Sequence, residues 1–516
     1  MAAGTRGITT VLLQCGIDMS ELAGSLPMNT TMDSSASLRL VNARSYEEWK
    51  RAALSLDERT GGAKWRRTEK TRLYDFEVIR RRLGEVREVR ASGDPHRLLF
   101  YLNEGMHGNM GGMGNPALYG RARFGTKDLI RDYIAELTGA LEQVAAVEDS
   151  VIPFRERLGF FRRASHCFGR SALMLSGAGA LGPFHLGVVK ALLDQDLLPD
   201  VISGASGGAF IAAIVGSHER STLEKMFSPG VVFEAFEDFS ENARKAVTGS
   251  RIGIEDLRSM VAARVPDLTF EEAFERTGRK INISVSPLEY HQRSRMLNAV
   301  TSPNVYLREA VLASCAIPGI FPAVTLAAKN VKGERQPYIP SRKWVDGSIT
   351  GDLPIDRLTR LYGVNHFIAS QTNPLVLWAL NDRQQDDSVL GRSVEIYQRA
   401  VKDWFRATYP LAMRLTRDLY PLNIVTRMGY GLATQDYTAD INIIPRRRFW
   451  DPRKLLSVLS ETETRYLVAE GEAATWPKIE MIRNCSRISR TIDGLLLPME
   501  RQAAGGMAHP QEAAVL

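Results

Sequence analysis

The sequence predicts an α/β protein: a core built on a mostly parallel sheet, flanked by helical N-terminal and C-terminal regions. Three observations lead there. From Ser171 onward, short apolar runs that read as buried strands alternate with helical periodicity. Two of the strand-to-helix passages, Gly177–Gly182 and Gly204–Gly208, are glycine-rich turns. On either side of this stretch the pattern is mainly helical. With 516 residues the chain exceeds what one hydrophobic core usually supports. It divides into a weakly ordered N-terminus (1–42), a helical accessory domain (43–165), the α/β domain (166–374), a mainly helical region (375–495) and a disordered tail (496–516).

The accessory region opens at Ser45-x-x-Glu48, a capping-box pattern ahead of Trp49. Charged helical pattern runs from Thr68 to Val89, and Asp94-Pro95 signals another start. The Gly-rich loop Gly105–Gly114 interrupts, and a helix from about Lys127 to Val147 closes the region. In the α/β domain, strands are expected at Ala172–Leu175, Asp200–Ser203, Ile281–Ser286, Lys343–Val345 and His366–Ser370. Helices are expected at His185–Leu193, Ala209–Val215, Ile254–Val265 and Tyr306–Ala313, and one late strand at Ile441–Ile444.

Composition bounds the function. Hydrophobic residues make up 44% and charged residues 24%, as in a folded globular protein. The net charge of +7 favours anionic surfaces, phospholipid headgroups or nucleic acid alike. No zinc-finger spacing or aromatic-basic RNA-binding signature is present, which argues against nucleic acid. The four cysteines (Cys15, Cys167, Cys315, Cys485) are far apart and suit a reducing compartment. Ile8–Cys15, with Asp18 soon after, makes a poor signal peptide. The uncharged stretches Val201–Ser217 and Ala310–Ala328 carry Gly, Ser or Pro and read as buried core, not membrane spans. The expected location is intracellular: cytoplasmic, or peripheral on a membrane or lipid droplet. No cluster of His, Cys and carboxylates has metal-ligand spacing, so neither metal nor cofactor is expected.

Three motifs carry chemistry. Gly204-Ala205-Ser206-Gly207-Gly208 lies between an expected strand and an expected helix. Small neighbours let the backbone make the strained turn of a nucleophile elbow, and the following helix aims its positive end at the Ser206 hydroxyl. The alternative for this motif is a structural Gly-rich turn. Gly177-Ala178-Gly179-Ala180-Leu181-Gly182 also follows a strand. As a dinucleotide fingerprint it would need an acid ending the next strand, but that strand ends in the Ser206 elbow and Asp200 stands at its beginning. Its other use is an oxyanion hole built from the N–H groups of Gly177, Ala178 and Gly179. Asp346-Gly347-Ser348 follows the expected strand Lys343–Val345. Alone it is a turn former; its weight comes from its companions.

Together, in this order, the motifs resemble the patatin-like phospholipase family: a Gly-rich oxyanion loop, a GxSxG serine and a distant Asp-Gly. Ala313-Ser-Cys-Ala-Ile-Pro-Gly-Ile-Phe-Pro322 looks like that family's stretch before its Asp. The resemblance covers roughly residues 171–374. It implies a three-layer α/β/α core and a dyad of Ser206, the nucleophile, with Asp346, the proton acceptor. Two departures stand out: the oxyanion loop lacks the Arg or Lys of many relatives, which bears on headgroup preference, and Ser348 follows Asp-Gly. Ser45–Trp49, Asn103–Tyr119 and Glu470–Trp476 further resemble the triacylglycerol lipases of plant and fungal lipid bodies. The expected substrate is therefore acylglycerol. Phospholipase A or lysophospholipase action is the alternative within the enzyme class, and a catalytically silent lipid-binding protein the alternative outside it.

Other candidates are mostly structural. Val394, Tyr397, Val401, Trp404 and Phe405 share one helical face, and Arg446–Trp450 joins cations to aromatics; both can pack or meet a lipid surface. No histidine is expected in the chemistry, since His366 stands near the start of its strand and His185 lies past the oxyanion loop within a helix.

Overall fold

A computed structural model describes residues 34–106, 108–227, 254–289, 294–373, 439–446 and 459–507. The face at 394–405 and residues 447–450 lie outside this range. The first described elements are helices: α1 (Ser34–Val41), α2 (Tyr46–Thr60), α3 (Gly62–Arg67), α4 (Phe76–Ala91), α5 (Pro95–Gly105), α6 (Asp128–Ala145) and α7 (Phe154–Phe168). Their starts follow from caps. Ser45 Oγ accepts the Glu48 N–H at 3.3 Å, although Glu48 reaches back to the Arg44 N–H instead of closing the box on Ser45. Asp94 Oδ1 accepts from His96 and Arg97 N–H at 2.9 and 3.1 Å, with Pro95 in the first turn. The helical pattern read from Thr68 becomes helix only at Phe76, because Thr68 ends α3 and the next side chain placed to cap is Asp75, bonded to the Val78 N–H. Helix α1 also extends order into residues 34–41, within the stretch read as weakly ordered.

The chain then enters the sheet. Strand β1 (Arg170–Leu175) leads to α8 (Gly182–Asp194), β2 (Val201–Gly204) to α9 (Gly207–Ser217) and α10 (Arg220–Met226). Helices α11 (Ile254–Arg264) and α12 (Phe270–Thr277) precede β3 (Lys280–Pro287) and β4 (Arg295–Leu297). Next come α13 (Leu307–Ser314), a hairpin of β5 (Ala327–Lys329) and β6 (Arg335–Pro337), and β7 (Trp344–Asp346). Helices α14 (Ser348–Gly351) and α15 (Ile355–Tyr362) lead to β8 (Val364–Ser370); β9 (Ile441–Ile443), α16 (Glu461–Thr475) and α17 (Ile479–Met507) complete the described chain.

The main sheet has the order β4-β3-β2-β1-β8-β9, with β7 also paired to β3. The pairs β1/β2, β1/β8, β2/β3 and β8/β9 are parallel, whereas β4 and β7 run antiparallel to β3. Successive side chains of a strand face opposite sides, and both sides are buried. Leu173 and Leu175 of β1 join the main core with residues of α9 and α17, while Ala172 and Met174 join a second cluster with Leu358 and Tyr362 of α15. This is a three-layer α/β/α arrangement with a mostly parallel sheet. Helix α9 is apolar all round because every residue from Gly207 to Ser217 is buried, and Ala310–Ala316 are likewise interior.

Helices α8 and α16 cross at two glycines. A Cβ on Gly187 would sit 2.0 Å from the Val468 carbonyl oxygen, and one on Gly471 would sit 2.2 Å from that of Phe184. Only hydrogen fits there. Helix α17 continues through residues 496–507, where the sequence suggested a disordered tail; Leu496 and Met499 are buried in the main core, and that burial holds the helix. It packs on α6 and α7, and Asp493 pairs with Arg170 at 3.1 Å and accepts from Ser165 Oγ at 2.9 Å. One hydrophobic core thus runs from the accessory helices through the sheet to α17.

Candidate active site

The C-terminal ends of β1, β2 and β8 open on one edge of the sheet. Strand β1 lies between β2 and β8, so the order of strands reverses there, and such switch points form crevices. Ser206 follows β2 at φ 52° and ψ −124°. A side chain at positive φ costs about 1–3 kcal/mol and persists only where its surroundings impose it. The close packing of the elbow's glycines imposes it here: a Cβ on Gly204 would meet the Gly208 carbonyl oxygen at 2.3 Å, and one on Gly208 the Leu175 carbonyl oxygen at 2.3 Å. Two groups at the end of α13 brace the serine from behind. Ser314 Oγ accepts the Ser206 N–H at 2.9 Å and donates to the Ser284 carbonyl at 2.8 Å, and Cys315 Sγ donates to the Ser206 carbonyl at 3.4 Å. Burial pushes the Cys315 thiol well up, keeping it a neutral donor.

Asp346 reaches the elbow by a route the strand pattern could not show. Ile283 of β3 pairs with Gly204 on one side and Leu297 of β4 on the other; Val285 pairs with Asp346 and with Arg295 of β4. Since β4 occupies one edge, β2 and β7 share the opposite edge, running toward each other and ending with their C-termini two β3 positions apart, roughly 7 Å. The aspartate thus ends an antiparallel strand. Gly347 is required beside it, because a Cβ there would lie 2.1 Å from the Ser284 carbonyl oxygen. Asp346 is buried, and burial pushes its carboxyl up to about 6; hydrogen bonding from Ser348 and from the Ser206 hydroxyl pulls the other way. The Ser348 N–H reaches Asp346 Oδ1 at 2.8 Å.

The glycine-rich loop Gly177–Gly182, expected to form an oxyanion hole, lies against the elbow. A Cβ built on Gly207 would be 3.5 Å from the Gly179 nitrogen and 3.6 Å from the Ala178 nitrogen. Gly179 takes φ +50°, and Gly182 begins α8. One expectation needs correction. The Gly177 N–H donates to Asp352 Oδ1 at 2.7 Å, so its single proton is engaged and cannot serve an oxyanion. The N–H groups of Ala178 and Gly179 remain, together with that of Gly207, which as the first residue of α9 has no acceptor within its helix. Asp352 and Ser314 escaped the sequence reading. Ser314 stood inside the Ala313–Pro322 stretch, and Asp352 only six residues past Asp346, but neither has a local pattern of its own.

His185 is buried and meets Ser370 Oγ, Ser176 O and Thr372 Oγ1 at 2.7, 2.9 and 3.0 Å. Burial lowers it to about 4, so it is neutral at ordinary pH and ties together the backbone beneath the loop. His366 bonds Ser171 Oγ at 3.0 Å, at the opposite end of the strands from Ser206. Arg446 donates its N–H to Glu470 Oε1 at 2.7 Å. Among the described residues, no group of three or more His, Cys, Asp or Glu could hold a metal ion, and no helix is long and apolar enough to cross a membrane.

An α/β/α sheet with a strained serine at its switch point and a buried carboxylate at the facing strand end has the layout of a nucleophile-elbow protein. Residues 173–359 match the model of the patatin-like phospholipases, and residues 28–166 match a domain of unknown function (DUF3336). The chain belongs to the patatin-like phospholipase family. It is 31% identical to triacylglycerol lipase ptl2 of Schizosaccharomyces pombe, across 88% of this chain and 74% of that one. It is 33% identical to triacylglycerol lipase 4 of Saccharomyces cerevisiae (86% of this chain, 51% of the other) and 32% identical to triacylglycerol lipase SDP1L of Arabidopsis thaliana (87% and 57%). The chain therefore spans little more than half the length of the last two.

Proposed function

We propose that the protein is a serine hydrolase of acyl esters in lipids, acting on triacylglycerol. The observation that carries this reading is Ser206 held at positive φ at the head of α9, with the Asp346 carboxylate at the end of the strand that meets it. Ser206 Oγ attacks the ester carbonyl and its proton passes to Asp346. The oxyanion is met by the N–H groups of Ala178, Gly179 and Gly207, reinforced by the positive end of α9. Collapse breaks the bond to the alcohol, which leaves with the proton from Asp346, and the acyl group stays on Ser206. Water, giving a proton to Asp346, then releases the fatty acid and regenerates the serine.

The relatives' names support acylglycerol as substrate, and the family's name supports phospholipid as the second reading. Peripheral residence on a lipid surface belongs to the same proposal. Purified protein assayed side by side on triolein, phosphatidylcholine and lysophospholipid decides between the substrates, and a fluorophosphonate probe separates a hydrolase from a silent lipid-binding protein. Ser206→Ala and Asp346→Asn should each lower hydrolysis by at least about a thousandfold while leaving the fold intact, because the two act as one unit. A variant keeping more than a tenth of the wild-type rate would remove its residue from the dyad.

A further inference from the structure

The site contains a second buried carboxylate that the reaction does not consume. Asp352 is fully buried, in the turn between α14 and α15. One of its oxygens accepts the Gly177 N–H at 2.7 Å, and the other accepts from Asn373 Nδ2 at 3.2 Å. One side chain thus joins the first residue of the oxyanion loop, the segment that carries Asp346, and the chain leaving β8. The loop is held from its other side as well. Ser176 Oγ accepts the Thr372 N–H at 2.9 Å and donates to the Gly177 carbonyl at 3.2 Å, and His185 holds the Ser176 carbonyl at 2.9 Å.

Gly177 is therefore fixed at both its N–H and its carbonyl, and it must stay glycine, since a Cβ there would meet the Ser348 Cβ at 2.9 Å. Peptide planes are rigid, so fixing residue 177 limits where the next two N–H groups can point. Those belong to Ala178 and Gly179, the groups that lie against Gly207. Burying a carboxylate is costly unless it accepts strong hydrogen bonds, and a hydrophobic side chain would fill this turn at less cost. The two accepted bonds account for its presence.

We propose that Asp352 is a positioning residue: by accepting the Gly177 N–H it sets the oxyanion loop so that the Ala178 and Gly179 N–H groups face the oxygen that becomes charged. This rests on the hydrolase reading above. The test compares wild type, D352A, D352N and S206A on a soluble p-nitrophenyl ester and with an alkyl trifluoromethyl ketone, which forms a tetrahedral adduct on the serine. Removing one oxyanion donor typically costs about 100- to 1000-fold in kcat. D352A should lose about 100-fold in kcat with KM within about threefold, and should bind the ketone more weakly by a matching factor. D352N, which keeps an oxygen acceptor, should recover to within about tenfold of wild type. A folded D352A that keeps more than a third of the wild-type kcat, or that loses kcat without losing ketone affinity, overturns the proposal. If D352A does not fold, N373A takes its place: it removes the Asn373 bond to the second oxygen and spares the bond to Gly177, and a kcat reduced about tenfold at constant KM is expected, while an unchanged kcat overturns the proposal. Undiminished hydrolysis by S206A overturns the reading of Ser206 as nucleophile, on which the proposal rests, an outcome the Asp352 variants cannot mimic.

Discussion

At the scale of single residues, the site depends on what burial does to carboxylates. An aspartate near its ordinary value of about 4 is a weak acceptor for a serine proton. Burial moves Asp346 up to about 6, closer to neutrality, where it is still largely ionised. The proposed mechanism needs the ionised form, so kcat/KM should fall about tenfold per pH unit below about 6; a flat profile down to pH 4.5 would exclude Asp346 as the base. The same burial acts on stability with the opposite preference. Asp352 is also raised, to about 7, by burial first and by Asp346 among its neighbours. A carboxyl whose folded value is raised stabilises the fold fully only below its unfolded value near 4, and that contribution is lost as pH rises through about 6 to 7. Asp346→Asn should therefore have a higher Tm than wild type at pH 8, and the gap should close as pH falls toward 4. The pH series of melting curves checks both the sign and the window. The proposed dyad leaves His185 and His366 outside the chemistry, so His366→Ala should keep substantial turnover per folded molecule, measured with circular dichroism as the control.

At the scale of elements, close backbone approaches fix what moves and what does not. Helix α8 carries the glycine-rich loop of the proposed oxyanion hole at its N-terminus, and its seat is the glycine crossing with α16. Gly471→Ala should cost about 3 kcal/mol or more, because the new methyl meets the Phe184 carbonyl oxygen on a neighbouring backbone. Gly494→Ala in α17, where nothing lies within 4 Å, should instead stabilise by about 0.5–1 kcal/mol through helix propensity alone. Urea titrations of the two variants should give shifts of opposite sign. The glycine-rich elbow was legible in the sequence because its spacing is local. The Gly187–Gly471 contact was not, because its partners are 284 residues apart and each looks like an ordinary helix glycine.

For the whole molecule, α17 is the member that closes the core. Its buried residues join those of the accessory helices and of the sheet, and Asp493 ties it to the first residue of β1. A chain ending at Lys478 should therefore lose cooperative unfolding and become sensitive to protease across the accessory region as well, since that region would expose the face α17 covers. A truncated protein that still melts cooperatively near the wild-type Tm would show instead that the accessory helices fold on their own.

From the sequence alone came features that a short window contains. The caps at Ser45 and Asp94, the strands β1, β2, β3, β7, β8 and β9, the elbow at Ser206 and the turn at Asp346-Gly347 are each written in a few neighbouring residues, and family resemblance joined the serine to the aspartate; β4, β5 and β6, three residues each, carry too little pattern to be read. Tertiary structure decided what joins distant windows. It ran β7 antiparallel on the same edge of β3 as β2, just past the end of β2, which brings Asp346 to Ser206. It engaged the Gly177 N–H with Asp352, which leaves the N–H groups of Ala178 and Gly179 as the loop's donors in the proposed oxyanion hole. It also kept α17 helical past residue 496 by burying Leu496 and Met499. The physical reason is the same in each case: hydrogen-bond donors and apolar faces choose partners by proximity in the folded chain, and a window of sequence contains only one side of each choice.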